Sequence, residues 1–286
     1  MKVILKTDPE LSFLHAMAVI AQGAPCIDGR IERGLRGGAA VITERLELAE
    51  LEPHLFWHWI VAGGDSKEGP RVDRALLAAG CSELGIDSLA PAILGRLADA
   101  RLAYREIFPK LADQLPLRAR PLWELWEAVG PGLLRQIARR TIEAWIPPKT
   151  TLHVIQPARG GDGGLIEGRD EVWIEGVLTH PDPRVAETLR IAWLLARKGY
   201  TRSQASRPSD NEDLAAAATM ALIPIVLAAG EELGICQTDD RTLGAACETW
   251  HVAEHEEALR RWWHQMQQSS LPLPIAIKAL QRMLQE

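Results

Sequence analysis

The sequence predicts a mainly α, multi-helical protein with a small central β-hairpin as its minor β component. Three observations carry this. Helix caps and apolar residues at helical spacing recur through the first 146 residues. Convincing strand signals are confined to 3–5, 150–156 and 171–178. Ten of the aromatic residues are Trp, against three Phe and two Tyr, a bias that suits close packing of helices in which each indole N–H finds an acceptor.

The elements follow in order. Asp8-Pro9-Glu10 is a cap followed by proline in the first turn, which opens a helix to about residue 22. The glycines of 23–38 read as an irregular connection, followed by helices over 40–51 and 53–62, the second stopped by Gly63-Gly64. Further helices are predicted over 70–79 and 88–108, and two more are punctuated by Pro116, Pro121 and Pro131. Pro147-Pro148 ends this run. The two strands beyond it flank the glycine-rich 157–164 and read as a hairpin with a flexible tip. A helix over 183–198 is apolar around most of its circumference and is predicted to be central, with Arg184, Glu187 and Arg190 as its solvated polar strip. A polar loop over 199–208 leads to a cap at Ser209-Asp210-Asn211-Glu212 and a buried helix over 211–229. Helices over 247–268 and from Pro274 complete the chain. The change of character at Pro147-Pro148 suggests a helical region, 1–147, and a hairpin-plus-helical region, 148–286, equally compatible with one continuous fold.

The composition is that of a folded chain: 47% apolar, 24% charged, net charge −6 over 286 residues. The acidic balance opposes general attraction to nucleic acid or anionic lipid. Cys26, Cys81, Cys236 and Cys247 form no C-x-x-C pair and read as reduced thiols. The apolar run at the N-terminus is too short for a signal peptide, and 214–229 is short of the ~20 residues of a membrane span. A cytoplasmic protein with no membrane association is expected.

The arrangement closest to chemistry is His251-Val252-Ala253-Glu254-His255. On a helix, residues four apart share a face, so His251 and His255 are the candidate metal ligands and Glu254 the candidate catalytic base for a metal-bound water. The string resembles the H-x-x-E-H signature of inverted zinc peptidases over these five residues, which implies zinc as the candidate cofactor and a third, downstream ligand; Glu286 is the last acid. Segment 150–198 is similar in element order to the surroundings of the active helix in ordinary zinc peptidases. There Ala186 and Arg190 occupy the two ligand positions, so zinc cannot be held in that manner. His54 and His58 form a second pair four apart, set among Phe56, Trp57 and Trp59, and read as a packed helix edge.

With no complete catalytic set, the leading expectation is a non-catalytic protein-interaction or scaffold module, with a protein partner or a homo-oligomer. A metal-dependent hydrolase built on His251, Glu254 and His255 is the alternative. A third reading is a nucleic-acid-associated protein using Arg197, Lys198, Arg202 and Arg207, a partner disfavoured by the net charge and the single nearby aromatic, Tyr200.

Overall fold

The computed structural model describes residues 1–64, 67–177, 182–204, 212–269 and 271–285. Four strands, β1 (Lys2–Thr7), β2 (Lys149–Ile155), β3 (Gly163–Ile166) and β4 (Glu171–Glu175), form one mixed sheet in the order β1-β2-β4-β3. β2 runs parallel to both β1 and β4, whereas β3 is antiparallel to β4. The two predicted strands therefore lie side by side without forming a hairpin: Leu152 sits opposite Val172 in parallel register. The hairpin is β3–β4, with Leu165 opposite Val172. Parallel neighbours need a returning connection, and the glycine-rich segment supplies it as a strand of its own. Leu178 lies outside the described residues.

The helices are α1 (Pro9–Ala21), α2 (Gly29–Leu48), α3 (Pro53–Ala62), α4 (Glu68–Ala78), α5 (Glu83–Ile107), α6 (Leu111–Arg140), α7 (Glu187–Gln204), α8 (Glu212–Glu231), α9 (Asp240–Thr249), α10 (Glu256–Gln268) and α11 (Leu273–Met283). The predicted start of α1 is present: Asp8 Oδ1 accepts from the Leu11 N–H at 2.8 Å and Pro9 is the first helical residue. α2 occupies much of the stretch read as an irregular connection. Its glycines serve packing: a Cβ on Gly34 would lie 2.8 Å from Ile107 Cδ1, and one on Gly38 3.1 Å from Ala100 Cβ, both on α5. α6 is one 30-residue helix containing Pro116, Pro121 and Pro131. Each proline removes a backbone donor, but the buried stripe of Leu115, Leu122, Trp126, Leu133 and Ile137 holds the helix on the core through all three.

The sheet separates two apolar clusters, and strand alternation decides which residue joins which. Leu152, Val154, Val172 and Ile174 pack with α6–α11. Ile155, Ile166 and Trp173 pack with α1–α5. β1, from the first region, pairs along its length with β2, from the second. α7 is central as predicted, with Leu189, Ile191, Trp193 and Leu194 buried. Of its predicted polar strip only Arg184 is solvated: Glu187 is 8% and Arg190 1% exposed. α7 also runs on to Gln204, through part of the predicted loop. The cap residues Ser209, Asp210 and Asn211, and Arg207 and Glu286, lie outside the described residues. α8 is long and apolar enough to cross a membrane, yet most of its apolar window is buried against other helices, as in a core helix. All four cysteines are free.

Candidate functional site

Parallel pairing brings the carboxyl ends of β2 and β4 together, which is where the open sheets of α/β proteins place their ligands. Glu175 is the last residue of β4, and the chain leaving β2 wraps over its side chain. Its carboxylate accepts five consecutive backbone N–H groups: Ala158 at 2.6 Å and Arg159 at 2.7 Å on Oε1, then Gly160 at 2.7 Å, Gly161 at 2.6 Å and Asp162 at 3.0 Å on Oε2. His15, on α1, completes the set with Nε2 2.9 Å from Oε1. Turning successive N–H groups toward one point needs backbone that side chains resist. Gly160 at φ 91° and Gly161 at φ 130° supply it.

Glu175 is fully buried. Burial alone would raise its pKa, but the hydrogen bond and charge of His15 and the loop N–H groups outweigh that and hold it well below the usual carboxylate range. With three donors on each oxygen, the carboxylate is ionised and saturated. It organises the loop and has no lone pair left over for a proton. The bond to an ionised carboxylate places a proton on His15 Nε2, so in the neutral ring Nδ1 is the acceptor. The His15 ring rests on Trp173 with centroids 4.6 Å apart, and Asp162 Oδ2 lies 3.9 Å from its Nε2.

Behind Glu175, Arg190 forms a buried ion pair with Glu187 and donates to the Glu175 carbonyl at 3.3 Å. Its Nε and Nη1 are shielded from solvent without a hydrogen-bond acceptor among the described residues.

Beside this centre opens a cleft of about 270 Å³, lined among others by His15, Trp57, Val61, Glu167, Trp173 and Arg197. Arg197, from α7, is partly exposed and lies 4.5 Å over the Trp193 ring. Trp193 is itself stacked on Trp250 at 4.9 Å and 16° and anchored by its indole N–H to the Thr219 carbonyl at 3.1 Å. Among the described residues Arg197 has no hydrogen bond and no ion pair, and its Nε is buried without an acceptor. Burial pushes its pKa down to about 10, with Asp162 and Glu167 pulling the other way from beyond ion-pair distance.

The predicted metal helix is broken. α9 stops at Thr249, His251 sits in the left-handed region at φ 59°, Ala253–His255 is a single 3-10 turn, and α10 begins at Glu256. His251 and His255 therefore do not share a helical face. Glu254 is exposed, with its Oε1 3.9 Å from His255 Nε2. His251 lies close enough to the Glu175 centre for Arg159, Asp162, Glu175 and Arg190 to act on it through space. Burial, together with Arg159 and Arg190, lowers its pKa against the opposing pull of Asp162 and Glu175, and its Nε2 has no partner among the described residues. Among the described residues no group of three or more His, Cys, Asp and Glu is placed to hold a metal ion. His54 and His58 are exposed on α3, His54 3.5 Å from Glu52 and His58 at the cleft edge. Among the described residues the basic cluster does not form a patch. Arg197 is sunk on Trp193, Lys198 donates to the Ile166 carbonyl at 2.7 Å, Arg202 lies 3.5 Å from Asp170, and Tyr200 is buried against Trp145.

His15, Arg159 and Glu175 were not singled out by the sequence reading. Their signals are faint: one histidine within an apolar helix, and one acid at the end of a strand whose alternation predicts burial. No protein-family model, no curated protein and no solved structure matches this chain.

Proposed function

We propose that this chain is a non-catalytic binding protein, and that its site is the cleft at the carboxyl ends of the parallel strands, where Arg197 takes an acidic group of the ligand. The observation that carries this is Arg197 itself, a cation sunk on Trp193 and facing a cleft with no anion paired to it among the described residues. Its Nε is shielded from solvent without an acceptor, which is costly, and a guanidinium is a ready bidentate partner for a carboxylate. Two of the carboxylates nearby are unavailable as bases: Glu175 is saturated and Glu187 is held by Arg190. The test is calorimetric titration with small carboxylic acids, with the wild type binding and Arg197→Gln not binding. The recovered ligand, followed by NMR, is expected unchanged. Wild type and variant indistinguishable across a panel of acids would sink the reading.

A protein-interaction role has separate support in a groove of about 930 Å³ between the start of β1 and α6, lined by Trp123, Trp126, Leu134, Ile146 and Pro147. Trp123→Ala is expected to convert any self-association seen by sedimentation to monomer. A wild type that is monomeric at high concentration removes the homo-oligomer form of this reading.

A further inference from the structure

Resting on the anion-binding reading of this cleft, we propose that the ligand is a zwitterion: a free α-amino acid with an apolar side chain. The cleft carries an unpaired charge of each sign. Arg197 is the cation. Glu167, which lines the same cleft, is the anion: it has no ion pair among the described residues, and its backbone is fixed by its N–H to the Ala62 carbonyl at 2.8 Å. The two sense each other electrostatically but are too far apart to pair. The other charges of the lining, Arg159 and Asp162, are 3.7 Å apart and largely answer one another. The cleft is therefore close to neutral overall while presenting two separated charges, neither in an ion pair among the described residues; Asp162 acts on Arg197, and Lys198 on Glu167, only through space.

That pattern selects among ligands. A dianion would find only one free cation and would meet Glu167. A simple monocarboxylate would satisfy Arg197 and leave Glu167 unmatched. A molecule with a carboxylate and an ammonium group answers both, and the carboxylate can take the guanidinium edge in a two-point contact. Between the charges the walls are apolar and aromatic, with Ala18, Val61, Trp57 and Trp173 facing the space. The volume, about 270 Å³, is small for a ligand pocket and suits an amino acid better than a nucleotide. Electrostatic matching of this kind decides which ligand binds more than how tightly.

The full-length chain would be titrated with three probes of matched shape: L-leucine, 4-methylpentanoate, which lacks the ammonium, and 3-methylbutylamine, which lacks the carboxylate. L-leucine is expected to bind at least about tenfold more tightly than either analogue. Arg197→Gln and Glu167→Gln are each expected to lower L-leucine affinity at least about tenfold, and Glu167→Gln to leave 4-methylpentanoate affinity unchanged or improved. Far-UV circular dichroism checks that both variants fold. Should Arg197→Gln fail to fold, Glu167→Gln alone carries the comparison, because Glu167 anchors nothing through its side chain among the described residues. If 4-methylpentanoate binds as tightly as L-leucine and Arg197→Gln abolishes both, the anion-binding reading stands and the zwitterion inference falls. If no probe binds and a wider panel of acids also fails, both fall.

Discussion

His15 and Glu175, 160 positions apart in sequence, meet with Nε2 2.9 Å from Oε1, and that contact ties the first helix of the chain to the end of its last strand. The bond ranks with the backbone cradle as a reason the carboxylate stays charged in a fully buried position. It also orients the imidazole against Trp173, so one pair fixes the loop over 158–162 and one wall of the cleft.

Glu175→Gln is expected to destabilise the fold by about 3–5 kcal/mol, because an amide NH₂ would face N–H donors and leave buried groups unpaired. Urea denaturation followed by circular dichroism measures it. A loss under about 1 kcal/mol would mean that water or a rearranged loop replaces the carboxylate.

The same residue sets an acid limit. Its folded pKa lies below that of the unfolded chain, so its contribution is present above the unfolded value, about 4.3, and is lost as pH falls toward the folded one. Asp8 acts in the same direction: burial raises its pKa, but the His153 ring, 3.5 Å from Asp8 Oδ2, and the hydrogen bond from the Leu11 N–H outweigh that and lower it. The urea midpoint is expected to fall steadily below about pH 4.5, with a visibly shallower fall in Glu175→Gln. Equal slopes in the two proteins would assign acid sensitivity to other carboxylates.

Much of the architecture was legible in the sequence, because caps and breakers act locally. Asp8-Pro9 started α1, Pro53 and Gly63 bounded α3, and the all-round apolar pattern of 189–195 announced a central helix. What misled was local chemistry overridden by tertiary packing. Pro116, Pro121 and Pro131 did not end α6, since its buried face outweighed three lost donors. Gly34 and Gly38 looked like linker residues and turned out to be the close-approach points of two helices. The site was illegible for a related reason. Glycines 160–164 read as a flexible tip, but two of them face Glu175 and two form β3, and that depends on a parallel register no local signal encodes. The histidine spacing at 251 and 255 had chemical meaning only on a continuous helix, and the turn at His251 removed it.

Packing around α7 offers a coupled test. Leu189 is fully buried, and a Cβ on Gly230 of α8 would lie 2.6 Å from Leu189 Cδ2 and 3.0 Å from Cys236 Sγ. Leu189→Ala is expected to cost about 2–4 kcal/mol through lost burial and a cavity. Gly230→Ala should cost about 1–3 kcal/mol by overpacking. Together they should cost less than their sum by more than about 0.5 kcal/mol, since the shortened side chain makes room for the added methyl group. Strict additivity would mean that the two helices do not meet at these residues.

Zinc provides the remaining test, directed at His251, Glu254 and His255. Two imidazoles four residues apart grip one ion only when both project from the same helical face. Here His251 is itself left-handed and a 3-10 turn carries His255, and no group of three or more His, Cys, Asp and Glu is placed to hold an ion among the described residues. Burial, Arg159 and Arg190 lower the His251 pKa against the pull of Asp162 and Glu175; a lowered pKa favours the neutral ring that a metal takes, so geometry alone stands against the ion. Protein purified without chelator is therefore expected to carry well under one zinc per chain. Added zinc should leave the melting midpoint where it was, because a ligand that does not bind the folded state cannot stabilise it. His251→Ala and His255→Ala should behave alike with and without the metal. A stoichiometric ion that raises the midpoint and is lost in both variants would require the segment between α9 and α10 to rewind into helix, and would put the metal-dependent hydrolase ahead of the binding reading.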